Sequence, residues 1–171
     1  MGHVMVDLET LDNCPTAVIV SIGAVFFDQT QVYRDLSFYE VVHIQSCIDL
    51  GLTLSGDTIA WWMKQSDQAR AVFQQQGSHI GVALSRFKNW FCEYGGVQMW
   101  GNGASFDQPI LANAYRKLNM ETPQAFWNDR CYRTVVQGLP KRQQQGVFHN
   151  ALDDAISQAE HLIQVNPGAI K

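Results

Sequence analysis

The segment His3-Val4-Met5-Val6-Asp7-Leu8-Glu9-Thr10 restricts the fold more than any other, because it is apolar enough for a buried strand yet carries two acids. Side chains alternate faces along a strand, so Asp7 and Glu9, two residues apart, project to the same side. Two carboxylates on one face at the end of a buried strand repel each other unless something positive lies between them. A hard divalent cation such as Mg²⁺ or Mn²⁺ meets that need, since it prefers oxygen ligands and keeps positions open for phosphate oxygens.

Residues 11–16, with Asn13 and Pro15, mark a turn after this strand. Residues 17–27 are rich in β-branched and aromatic side chains and predict a long second strand, with a third within 32–44. Three strands with short links make an antiparallel meander. Helical spacing then takes over. Ile59, Trp62 and Met63, followed by Ala69, Val72 and Phe73, predict helix over 58–73, broken at Gln65-Ser66-Asp67 with a new cap at Ser66. Ile80, Leu84, Phe87, Trp90 and Phe91 predict a helix over 78–94 that Gly95-Gly96 ends. Residues 97–100 suit a buried parallel strand, after which Ser105 is expected to cap a helix running to Leu118. A last short strand is expected near 125–127, a polar loop over 138–147, and a final helix over about 151–165. Meander followed by strand–helix alternation describes an α/β fold: a mixed five-stranded sheet flanked by helices, with the first strand central.

The 171 residues suffice for one core and nothing in them requires a second, so a single domain over residues 1–171 is expected. Hydrophobic residues at 46% and charged residues at 16% exclude a disordered chain. No apolar run approaches the ~20 residues of a membrane span, and the N-terminus lacks a signal-peptide pattern, so a cytoplasmic protein is expected. Cys14, Cys47, Cys92 and Cys131 are scattered without metal or disulfide spacing. A net charge of −4 argues against coating nucleic acid through an overall field, but not against gripping one end of a strand.

In sheets of this kind ligands collect at strand ends where the strand order reverses. Asp7 and Glu9 lie at such an end. Asp107, in the first turn of a helix, and Asp154, in the first turns of the last helix with His149 just before it, can face the same crevice. Four acids and a histidine suit phosphodiester hydrolysis with two divalent ions, Mg²⁺ or Mn²⁺, held by Asp7, Glu9, Asp107 and Asp154. His149 is the candidate general base. Spacing alone leaves Asp153 as an alternative to Asp154, and Asp107 also fits as a charge at a helix N-terminus. A non-catalytic module that binds nucleic-acid ends and an internal cutter of the RNase H type are alternative readings.

Three motifs in order resemble the DnaQ-like (DEDD) 3′–5′ exonucleases: Asp7-Leu8-Glu9-Thr10, then Asn102-Gly103-Ala104-Ser105-Phe106-Asp107, then His149-Asn150-Ala151-Leu152-Asp153-Asp154 in the histidine form. Asn150 stands where a sister branch has tyrosine. Residues 17–27 and Trp61-Trp62-Met63-Lys64-Gln65-Ser66 further resemble a small phage and bacterial subgroup of 3′–5′ exoribonucleases, called exodeoxyribonuclease VIII-like in prophages. The resemblance implies an RNase H-like fold, dependence on Mg²⁺ or Mn²⁺, and release of nucleoside monophosphates from the 3′ end of single-stranded RNA or DNA. It assigns Asp7, Glu9 and Asp154 to one metal, Asp7 to the other, Asp107 to direct or supporting ligation and His149 to the base, and it favours Asp154 over Asp153. Thr10 and Leu11 would flank the terminal base, and Trp61, Trp62 or Gln65 would stack on it or bond to it. Adjacent helical residues do not share a face, so at most one of Trp61 and Trp62 is expected to touch substrate. Asn102 is a further candidate contact, and Lys141 and Arg142 are candidates for the phosphates. Similar proteins pair, so a homodimer is expected as well.

Overall fold

Strand parity decides which face of the sheet receives the acids. In the computed structural model, which describes residues 2–171, β1 (His3–Thr10) runs antiparallel to β2 (Ile19–Phe27), from His3↔Phe27 to Glu9↔Ser21. Every residue of β2 is buried, as its β-branched and aromatic composition leads one to expect. β3 (Val32–Val41) pairs antiparallel with β2. The chain then forms α1 (Ile44–Asp49), α2 (Gly56–Trp62), α3 (Asp67–Arg70) and α4 (Ile80–Glu93) before returning to the sheet as β4 (Gln98–Gly101). After α5 (Asp107–Lys117) come β5 (Asp129–Cys131), α6 (Tyr132–Val135) and the closing helix α7 (Ala151–Val165). β4 and β5 are parallel additions on the other side of β1, giving the order β3-β2-β1-β4-β5. The fold is α/β with a mixed five-stranded sheet, and β1 is its centre.

Two apolar clusters cover the two faces. Val4, Val6 and Leu8 of β1 pack with Ile22 and Phe26 against α4 and α5. Met5 points the other way and joins Val25, Phe27 and Trp100 beneath Ala155, Ala159 and Leu162 of α7. Asp7 and Glu9 continue the Met5 face, so the acids and α7 lie on the same side of the sheet. The helix can come that close because its sheet-facing residues Ala151, Ala155 and Ala159 are small and because β2 has glycine opposite Asp7. A Cβ on Gly23 would lie 2.1 Å from the carbonyl carbon of Ala151 and 2.2 Å from the nitrogen of Leu152. Backbone rests on backbone there, which only glycine permits.

Several boundaries differ from the sequence-based expectation. The last strand is Asp129–Cys131, not 125–127. Phe126–Asn128 form a 3-10 turn whose aromatic rings are exposed, and the parallel pairing Met99↔Asp129 to Gly101↔Cys131 places the strand further along. The Gln108 amide also holds β4 to β5, donating to Met99 O at 3.2 Å and Arg130 O at 2.8 Å. α1 is too short to show a period in sequence. α4 begins at Ile80, capped by His79 Nδ1, and α5 begins at Asp107 with Phe106 rather than Ser105 at its N-cap. Ser66 caps α3 as expected, and Ser55 caps α2. No helix among the described residues is long and apolar enough to cross a membrane.

Gly23→Ala is expected to destabilise the protein by about 3 kcal/mol or more, the upper range for overpacking, because the methyl group meets backbone on both sides. Urea unfolding measures this. A loss below about 1 kcal/mol would show that α7 can shift away from the sheet without penalty.

Candidate active site

β4 accompanies β1 only as far as the pair Met5↔Trp100, and beyond it the amides of β1 need another partner. Asp107 provides it. Its Oδ1 accepts from Leu8 N at 3.1 Å and its Oδ2 from Asn102 N at 2.7 Å, and the side chain is 1% exposed. This is why Ser105 does not start the helix. The chain is turned so that the first helical residue aims its carboxylate back at β1. Gly101 leaves room for it, since a Cβ there would come within 2.8 Å of Asp107 Oδ2.

The other acids enter from β1 and α7. Asp7 Oδ1 accepts from Gln158 Nε2 at 2.7 Å. Glu9 is 7% exposed and sits just before a bulge in the β1–β2 pairing. Asp154, 6% exposed, takes Arg142 Nη2 on Oδ1 and the backbone amide of His149 on Oδ2, each at 2.9 Å. Asp153 turns to the preceding loop instead, accepting from Val147 N at 2.8 Å. Asn150 caps α7, its Oδ1 accepting from Leu152 N and Asp153 N.

His149 holds a left-handed backbone with φ 63°, a conformation that costs a residue with a Cβ roughly 1–2 kcal/mol. Its ring lies edge to face with Trp61, centroids 4.8 Å apart, and 6.2 Å from Trp62. Trp62 is buried and donates through Nε1 to Thr10 O at 2.8 Å, so the two tryptophans wall the histidine from one side. One ligand atom each of Glu9, His149 and Asp154 lies within 4.8 Å of the others.

Burial keeps Asp7, Glu9 and Asp107 from ionising readily, and neighbouring charges add to this at Asp7 and Glu9. Asp7 is raised well above the usual carboxylate range, first by burial and then by the charges of Asp107, Glu9 and Asp154, with the Gln158 amide opposing. Burial, then Asp154 and Asp107, push Glu9 from 4.5 to about 8. Asp107 rises to about 6 because burial outweighs the amides of Asn102 and Leu8 and the Arg133 charge. A set of hard oxygen donors with one imidazole, short of positive charge, fits a divalent cation.

A sequence model described as the 3′–5′ exoribonuclease Rv2179c-like domain matches residues 2–165. The chain belongs to this family. It is accordingly a 3′–5′ exonuclease of the hydrolase class. Over 165 residues it is 26% identical to an exodeoxyribonuclease of Enterobacteria phage T4, covering 81% of this chain and 72% of the phage protein. The crystal structure of cell-death related nuclease 4 (CRN-4) superposes with a TM-score of 0.55 at 16% identity over 95% of this chain, which spans 62% of that nuclease. The sheet and helices are thus those of the RNase H-like fold.

Against this family frame, the remaining candidates divide. Leu11 lines an apolar hollow of about 250 Å³ with Ile44, Ile59, Trp62, Met63 and Phe73. Thr10 is buried, its hydroxyl donating to Asp12 O at 2.6 Å. Trp61 is 42% exposed beside His149. Gln65 spends its amide on Trp61 O at 2.9 Å. Asn102 gives its backbone amide to Asp107 and receives Arg133 Nε on its Oδ1 at 3.4 Å. Arg142 lies at the acids through Asp154, whereas Lys141 lines a separate hollow with Pro140, Gln143 and His161. Sequence reasoning passed over Gln158, Gly23 and Arg133. Gln158 follows Asp154 by four residues, a spacing that places both on one face of a helix, and a glycine in mid-strand marks close backbone approach.

Glu9 ionises near 4.5 when unfolded and about 8 when folded, so between these values the folded state holds more protons. Its stabilising contribution is complete below about pH 4.5 and is lost as pH rises through about 8. Asp7 and Asp107 act in the same direction. Thermal melts in EDTA are expected to show Tm falling from about pH 5 to about pH 8, and Mn²⁺ restoring it most at the upper end. A Tm that holds or rises over that interval without cation would mean the acids are already ionised.

Proposed function

We propose that this chain is a metal-dependent 3′–5′ exonuclease of single-stranded nucleic acid, RNA foremost and DNA next, releasing nucleoside monophosphates. The convergence of Glu9, His149 and Asp154 within 4.8 Å, with Asp7 and Asp107 beside them, carries this reading. Two divalent cations, Mg²⁺ or Mn²⁺, held by Asp7, Glu9, Asp107 and Asp154, would supply water activation and charge stabilisation at the leaving 3′ oxygen.

The protein's own residues do the rest. His149 takes the proton of the attacking water on an imidazole nitrogen, and its backbone bond to Asp154 with the edge contact to Trp61 holds the ring in place. The hollow beside Leu11 receives the terminal base, while the exposed face of Trp61 offers a stacking surface, a contact that tolerates any base. Arg142, already at the acids, shares its guanidinium with a phosphate oxygen. Asn102 and Gln65 are assigned to the rim of the strand path. Pairing of two copies is part of the proposal, to be read from the solution mass.

The test is a time course on matched 5′-labelled single-stranded RNA and DNA in Mn²⁺, Mg²⁺ or EDTA. A ladder shortening from the 3′ end, seen only with cation and absent on circular DNA, is expected. Asp7→Ala is expected to abolish it with the circular dichroism spectrum unchanged. A fully active Asp7→Ala protein, or cleavage in EDTA, would remove the two-metal proposal. His149→Ala is expected to slow turnover by roughly 10²–10⁴-fold, and a rate within about threefold of wild type would exclude His149 as the base.

A further inference from the structure

Gln158 lies one helical turn beyond Asp154 on α7 and is 1% exposed. Its Nε2 donates to Asp7 Oδ1 at 2.7 Å, and its Oε1 has no hydrogen-bond partner. A buried amide oxygen without a partner is destabilising, so packing alone does not account for glutamine at this place. With a cation bound Asp7 is ionised and only accepts hydrogen bonds, which matches the amide's orientation: nitrogen toward Asp7, oxygen into the core. The neighbouring acids are held differently. Asp107 receives the amides of Leu8 and Asn102, and Asp154 receives the amide of His149 together with Arg142. Among the described residues Gln158 is the one hydrogen-bond donor to Asp7.

We propose that Gln158 is a positioning residue for cation binding, engaging one oxygen of Asp7 and leaving the other for the ion. The proposal rests on the metal-dependent reading above. A neutral amide suits the task better than a charged donor, because it fixes the carboxylate without competing with a cation for its negative charge. The cost of the idle Oε1 is then the consequence of needing a donor, without a positive charge, at this depth in the protein. Supporting hydrogen bonds of this kind commonly change metal affinity 10–100-fold when removed.

The test compares wild type with Gln158→Met, which keeps length and apolar packing, and with Gln158→Leu. Mn²⁺ affinity is measured by calorimetry, Tm is measured in EDTA, and kcat and KM are measured across a range of Mn²⁺ concentrations. The expected result is a Kd for Mn²⁺ about 10–100-fold weaker, with a cooperative melt in EDTA showing that the variants are folded. At low Mn²⁺ kcat falls, and at saturating Mn²⁺ both kcat and KM for the oligonucleotide return to wild-type values. Unaltered Mn²⁺ affinity in the variants would overturn the proposal. So would a kcat that stays low in both variants at saturating Mn²⁺, because the side chain would then belong to packing of the site. Failure of wild type itself to bind Mn²⁺ would overturn the metal-dependent reading, a result distinct from either.

Discussion

Four carboxylates drawn into one poorly hydrated cleft repel each other, and much of the surrounding structure is arranged to hold them there. Two unit charges about 5 Å apart at an effective dielectric of 20 oppose each other by about 3 kcal/mol, and Glu9 and Asp154 lie within that separation. The chain meets this with donors placed one acid at a time. Backbone amides freed where β4 leaves β1 go to Asp107, the amide of Gln158 goes to Asp7, and Arg142 with the amide of His149 goes to Asp154. Asp154 also stands in the first turn of α7, where the helix dipole favours a negative charge. These contacts do not neutralise the site, as the raised Asp7 and Glu9 show.

The same arrangement depends on how near α7 can come to the sheet. Gly23 and the alanines of α7 let backbone meet backbone at the point where Asp7 emerges. From there the segment before the helix is tied down by a chain of polar contacts. Val147 N donates to Asp153, Gln145 N to Ser157 Oγ, and the ring of His161 bridges Tyr132 Oη and Pro140 O. Those ties sustain the left-handed backbone at His149. Strain at the residue that faces the acids is thus opposed by contacts on the far side of its own loop.

What could be read from sequence followed from periodicity, and what could not depended on distant neighbours. Alternation along His3–Thr10 placed Asp7 and Glu9 on one face, and the β-branched run after Ala17 marked β2, because both signals are local. The β5 position was misjudged because aromatic residues at 126 and 127 look like strand yet are exposed, and a three-residue strand carries no period of its own. Ser105 was expected to cap α5 by residue type, but the demand of the Leu8 amide on Asp107 decides how that helix begins. Spacing left Asp153 and Asp154 as alternatives, and the loop amide of Val147 separates them. Gln158 and Gly23 meet their partners across more than a hundred residues of chain, so only the folded structure brings the pairs together.

The net charge of −4, uninformative on its own, acquires a meaning once the acids are located. A cleft holding uncompensated carboxylates repels the phosphates of a nucleic acid, and Arg142 is partly consumed by Asp154. Under the proposed mechanism a cation that relieves the acids also frees Arg142 for phosphate and reverses the local field. Binding of cation and of substrate are then coupled, and by linkage each strengthens the other to the same degree. On that mechanism an acidic protein would avoid holding nucleic acid unproductively, because the charge that attracts a strand would arrive only with the cations the reaction needs.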